Sequence, residues 1–144
     1  MYKLVSLLPV FLICTSYTSS LNETQYILIN QQGEDLKASM ERGAEIYEGF
    51  CMQCHLAEGE GVPNTYPPLK DSDWLQHKRK ESIHVVKYGQ NGLIKVNGKP
   101  YNSNMPAPGL EDEEVADVLN YIMNSWGNSQ EEMVTVEEVQ HIEK

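Results

Sequence analysis

The chain has 144 residues, 22% of them charged, and a formal net charge of −10 at pH 7. That length suits one domain, and the acidic balance excludes nucleic acid and anionic membrane surfaces as partners, because like charges repel. No stretch stays apolar over the roughly 20 residues that a bilayer-crossing helix needs, so the mature chain is expected to have no transmembrane helix.

Residues 1–20 have the order of an export leader: Lys3, an apolar run from Leu4 to Cys14, then Thr15, Ser16, Thr18, Ser19 and Ser20. The run has no polar face, which a buried amphipathic helix would need. Export to the periplasm is therefore expected, with the mature chain starting near Leu21. A lipid anchor at Cys14 is the secondary reading; Ile13 stands where the lipoprotein pattern wants a small residue. Without its leader, whose one charge is Lys3, the chain is one unit more acidic.

Residues 21–38 are mostly polar, with an apolar patch at Tyr26 to Ile29. They are expected to form an N-terminal extension to a domain over 39–128. A helix is predicted from about Ser39, a suitable N-cap, to Cys51, with Met40, Gly43, Ile46, Tyr47 and Phe50 at helical spacing. Gly43 costs a helix about 1 kcal/mol against Ala, which is worth keeping where a second helix crosses closely.

Gly59, Gly61, Pro63, Pro67 and Pro68 then break regular structure. Trp74 follows, and then the basic run His77 to Lys80 with Lys87 nearby, which suits either a solvated helix face or a docking patch. A short helix is predicted over Ser82 to Tyr88, ended by Gly89. Asn97-Gly98 inside Leu93 to Tyr101 is the strongest short-range hairpin signal. After a Pro-bounded loop, a long helix is predicted from Glu111 to Trp126, with four acids in the first turn, where the helix dipole favours them. Residues 129–144 form a C-terminal segment, in which Thr135 and Glu138 make a capping box for a short helix.

Two cysteines remain after the leader, in Cys51-Met52-Gln53-Cys54-His55. This is C-x-x-C-H, the attachment sequence for c-type haem. Two thiols three positions apart on a helical turn can each add to one porphyrin vinyl group, and the adjacent imidazole then lies under the iron. A thioredoxin-like pair would need a strand ahead of the motif, where a helix is predicted. Zinc would lack a second ligand pair. A small structural disulfide remains compatible with export.

With His55 on one side of the iron, the occupant of the opposite position decides the chemistry. The candidates are Met40, Met52, Met105, Met123, Met133, His77, His84 and His141. Met52 lies inside the attachment turn, Met40 and Met123 suit a helical core, and Met133 is near the tail. Met105 stands alone in a loop stiffened by Pro106 and Pro108, with no apolar stripe to join. It is the expected ligand, and His84 is the runner-up. A thioether favours reduced iron and closes the coordination sphere, which suits electron transfer over catalysis.

These residues resemble the class I c-type cytochromes of bacteria over about residues 39–127. The resemblance is carried by Arg42-Gly43 with Tyr47, the C-x-x-C-H motif, Tyr66-Pro67-Pro68-Leu69, the string Gly92 to Asn102, Met105-Pro106-Ala107-Pro108-Gly109, and Val118 with Tyr121. It implies an all-α fold wrapped around one covalent haem c, with a short β-hairpin before the Met loop. It also implies that the first and last helices cross near Gly43, against Tyr47, Val118 and Tyr121. By resemblance, the Pro68 carbonyl would accept the hydrogen bond of the other His55 ring nitrogen, and Trp74 would lie near the haem propionates. Glu111 departs from the family's Ser or Thr at the start of the last helix, which should weaken that cap. The expected function is single-electron transfer, not catalysis, between a dehydrogenase or respiratory complex and a terminal oxidase or reductase. The alternatives are a cytochrome subunit held permanently in a dehydrogenase or reductase, and a haem enzyme or gas sensor with an open iron.

Overall fold

The computed structural model describes residues 23–130 and 132–144; the expected leader, with Cys14, lies outside the described residues. The elements in chain order are α1 (Glu23–Phe50), α2 (Met52–His55), α3 (Asp73–His77), α4 (Arg79–Tyr88), β1 (Ile94–Val96), β2 (Lys99–Tyr101), α5 (Asp112–Ile122) and α6 (Val136–Gln140). This is the expected helical fold with one small hairpin. Among the described residues no helix is long and apolar enough to cross a membrane.

The first helix departs from expectation. It begins at Glu23 and runs unbroken for 28 residues, so the stretch before residue 39 is helical and continuous with the domain. Ser39 is no N-cap. It is buried inside the helix, and its hydroxyl donates to Asp117 Oδ1 at 2.6 Å. The physical reason is that no Pro or cap signal interrupts the segment, and Ser39 has a tertiary partner that replaces its capping role.

α1 and α5 cross at Gly43, as the glycine implied. A Cβ there would fall on the Asp117 carbonyl group and lie 2.9 Å from Tyr121 Cβ. Tyr47, Val115, Val118, Leu119, Ile122 and Met123 fill the core behind the crossing. Burying such side chains is the main favourable term, at about 1.5–3 kcal/mol each. A polar cluster borders it: Arg42 grips both Asp117 oxygens, Nε to Oδ2 at 2.6 Å and Nη2 to Oδ1 at 2.7 Å. Tyr47, Tyr121 and Trp126 pack ring on ring, with Tyr47 and Trp126 centroids 4.9 Å apart.

α5 ends at Ile122, four residues earlier than predicted: the chain tightens where the Asn124 N–H bonds the Tyr121 carbonyl at 3.2 Å, and Trp126 and Gly127 then turn to positive φ. That turn aims the Trp126 ring back over Gly59, whose Cβ would lie 2.6 Å from it. The start of α5 is firmer than Glu111 suggested: the Glu114 carboxylate accepts the Glu111 N–H at 2.9 Å.

α4 starts at Arg79, not Ser82, and ends at Gly89 as predicted. The short α3 carrying Trp74 was not predicted; Ser72 caps it. The hairpin pairs Ile94 with Tyr101 and Val96 with Lys99 across Asn97-Gly98, both at positive φ, as a type I′ turn requires. Asp73 and Asn97 exchange backbone-to-side-chain bonds at 2.7 and 2.9 Å, which tie the turn to the start of α3.

The C-terminal segment is built into the fold. Val134 and Val139 are buried in the core, and Asn120 holds both the N–H and the carbonyl of Val134. Thr135 caps α6 by accepting the Glu138 N–H at 3.2 Å. The reciprocal half of the expected box is not made, because the Glu138 carboxylate is taken by Arg79 at 2.7 and 2.8 Å.

Candidate functional site

A cleft of about 310 Å³ opens between α2, α4, the hairpin and the loop after it. α1 delivers one wall. Its end passes directly into the α2 turn, where the His55 N–H bonds the Cys51 carbonyl at 2.9 Å. That turn sets Cys51, Cys54 and His55 along one side of the cleft, and both cysteines are free thiols. Burial and the neighbouring Cys54 push the Cys51 thiol up to about 11. It is therefore protonated at neutral pH, unlike the low-pKa thiolates of thiol–disulfide exchange. A 28-residue helix, not a strand, leads into the motif. Among the described residues no group of three His, Cys, Asp or Glu side chains suits a metal ion.

His55 is buried, and its Nδ1 lies 3.0 Å from the Pro67 carbonyl oxygen. A carbonyl only accepts, so Nδ1 carries the proton and Nε2 keeps its lone pair for the cleft. Burial pushes the ring below its ordinary 6.5, against the opposing pull of that carbonyl, so the imidazole is neutral at pH 7. The acceptor corrects the expectation of Pro68, which lines the cleft instead. The reason lies in the loop. Leu69 N–H bonds the Gly59 carbonyl at 2.7 Å and Gly61 N–H bonds the His55 carbonyl at 3.0 Å. These fix the Pro-Pro step one carbonyl away from the position inferred by resemblance. Gly61 has no Cβ to strike the Tyr66 and Pro67 carbonyls, which would lie at 2.5 and 2.6 Å.

Met105 lines the same cleft as His55. Its backbone is clamped to Gln90, N–H to carbonyl in both directions at 2.8 and 2.9 Å. Gly89 permits that approach: at φ +85°, its Cβ would lie 2.7 Å from the Met105 carbonyl oxygen and 2.8 Å from the Ala107 nitrogen. Gln90 and this second duty of Gly89 escaped the sequence analysis; a Gly followed by a polar residue just past a helix was the available signal. None of the other described candidate ligands reaches the cleft. Met123 is core, and Met40 and Met133 are half-buried elsewhere. His84 stacks edge-on against Tyr88 over a separate outer groove. Trp74 lies between that groove and the cleft, with the Lys78 ammonium 5.5 Å from its ring.

Apolar walls include Val85, Val86, Ile94, Val96, Val118 and Ile122. Two free thiols, an imidazole with one committed nitrogen and this apolar lining fit a covalently attached haem. A family model described as Cytochrome c matches residues 40–126. The chain belongs to the cytochrome c family. It is 40% identical over 92 residues to cytochrome c-552 of Thermus thermophilus, covering 60% of this chain and 70% of that protein. It is 35% identical over 109 residues to the gluconate 2-dehydrogenase cytochrome c subunit of Pantoea cypripedii, covering 71% of this chain and 24% of that protein. A cbb3-type cytochrome c oxidase subunit of Rhodobacter capsulatus is 33% identical over 95 residues, 62% of this chain and 31% of that protein. The chain thus spans most of the Thermus relative and a quarter to a third of the two subunits. As a member of this family it carries haem c and transfers electrons; it is not itself a catalyst.

Part of the basic run is engaged within the fold. Arg79 holds Glu138, Gln130 and the Glu132 and Met133 carbonyls. Lys78 pairs with Glu81 at 3.4 Å, and Lys87 pairs with Asp112 at 2.9 Å. His77, Lys78 and Lys80 stay exposed, so the fold takes up only Arg79 and Lys87 from this group.

Proposed function

We propose that this cytochrome is an exported, periplasmic shuttle whose iron is held by His55 and Met105, with Cys51 and Cys54 as the thioether attachments. The observation that carries this reading is that Met105 alone among the described candidate ligands shares a cleft with His55 and the two thiols. The bound haem supplies a one-electron iron couple. The chain's own residues do the rest. Pro67 fixes the His55 tautomer and orientation and makes the ring a better donor. Gln90 and Gly89 hold the Met105 backbone so that its sulfur is presented with little entropy loss. The apolar walls keep water away and limit the solvent reorganisation that each change of charge would require. Trp74, at the cleft's rim, is a candidate neighbour of the propionates. Partners of the expected chemistry are redox proteins: a dehydrogenase or respiratory complex as donor, and a terminal oxidase or reductase as acceptor.

The similarity to the gluconate dehydrogenase cytochrome subunit over 71% of this chain favours one alternative, a cytochrome held permanently in a dehydrogenase or reductase. Ligation and assembly are tested separately. The reduced protein should resist carbon monoxide, and the oxidised protein should show the far-red sulfur-to-iron absorption band. Rapid carbon monoxide binding at neutral pH would contradict the closed coordination. Native mass after gentle extraction separates shuttle from subunit: a stable larger redox complex would select the subunit.

A further inference from the structure

We propose that the C-terminal segment is a positioning strap for the sixth iron ligand, acting on Met105 through α4; this rests on the reading of Met105 as that ligand. The strap has polar ties at both ends of α4; at the start, Arg79 also bonds Gln130 and the Glu132 and Met133 carbonyls. The Glu138 carboxylate takes Arg79 Nε and Nη2 at 2.7 and 2.8 Å, at the helix start. Lys87 Nζ donates to the Val139 carbonyl at 2.9 Å, and the Tyr88 hydroxyl donates to the Ile142 carbonyl at 3.0 Å, both in the last turn. The next two residues are the ones that hold Met105. Gly89 packs under its carbonyl, and Gln90 bonds its backbone in both directions. The path from strap to sulfur is therefore contiguous: Ile142 to Tyr88, through the peptide to Gly89 and Gln90, and across to Met105.

Among the described residues, none in the strap lines the cleft that holds His55 and the thiols. Its anchors in the core, Val134 and Val139, explain why it stays down, but not why its polar ties gather at the two ends of α4. A loop bearing a thioether on a soft bond needs its backbone fixed, and the α4 terminus is what fixes it. Loosening the strap lets α4's last turn fray, and the Met105 loop then leaves the iron more often.

The test uses the haem-loaded protein and reads ligand opening, not only stability. Tyr88→Phe, Glu138→Ala and a chain ending at Gln140 each remove a tie while keeping Val134 and Val139. Arg42→Ala is the control, because it loosens the α1–α5 crossing at Asp117 without removing a partner of Asn120 or of the strap. Carbon monoxide association with the reduced protein should rise about fivefold for each lost tie, the ratio expected when one hydrogen bond stops holding the closed state. The far-red band of the oxidised protein should fade on heating well before the helices melt. The control should keep the wild-type rate even where its melting temperature falls as far. Equal rates in wild type, strap variants and control would overturn the proposal, and so would a rise that tracks melting temperature in the control as well. Met105→Ala separates the underlying reading: if wild type already takes up carbon monoxide as fast as Met105→Ala, the ligand assignment fails and not the strap. Tyr88→Phe removes a single oxygen, so the test stands even if the shortened chain does not fold.

Discussion

At Gly43 the backbone of α1 meets the backbone of α5. A methyl group there would overlap the Asp117 carbonyl, which cannot swing aside as a side-chain tip could. Gly43→Ala gains about 1 kcal/mol of helix propensity but forces the helices apart. The expected outcome is a net stability loss of about 1–3 kcal/mol, read as a lower denaturant midpoint of the haem-loaded protein at unchanged slope; a midpoint equal to or above wild type would contradict it. This glycine was legible in the sequence because its cost inside a helix demanded a reason. So was the motif from Cys51 to His55, and so was the stiff loop that brings Met105 to the same cleft. The partners of Asp117 were not legible. Ser39 and Arg42 lie 78 and 75 residues away from it, and only the crossing angle brings them together. The Pro67 carbonyl was misassigned to Pro68 for the opposite reason. The two are adjacent, and the choice between them rests on turns closed by Gly59 and Gly61 that no local pattern encodes.

At the scale of elements, strong local signals placed the hairpin, the end of α4 and the start of α6. Ends set by tertiary packing were missed: the start of α1, the start of α4 and the end of α5. The basic run is the clearest case. Its charges looked solvent-facing in one dimension, yet the C-terminal segment folds over α4 and takes up Arg79 and Lys87. Lys87 is only 16% exposed, and its ion pair with Asp112 raises its pKa from the ordinary 10.5. A raised folded value means the stabilisation is fully present below the unfolded value and is lost as pH climbs through the folded one. The stability gap between wild type and Lys87→Met should therefore be constant from neutral pH to about 10 and shrink above it. Chemical denaturation across that range measures it; a gap that widens with alkaline pH would contradict the assignment.

For the whole molecule, the architecture sets Cys51, Cys54, His55 and Met105 around one cleft inside a helical shell, with the C-terminal segment packed over α4. The α1–α5 crossing holds the attachment side, and α4 with the hairpin and its loop holds the ligand side. Held by His55 and Met105 as proposed, an iron would change charge with both protein ligands kept in place, which is the property an electron carrier needs. Family membership and the relatives, free cytochrome and enzyme subunits alike, agree with that use. The account stands on Met105 as the ligand that sets the potential, because thioether coordination favours the reduced state. The most direct measurement is a spectroelectrochemical titration of wild type beside Met105→Ala. The account predicts that the variant loses the far-red band and that its midpoint potential drops. A variant that keeps both the band and the wild-type potential would contradict it.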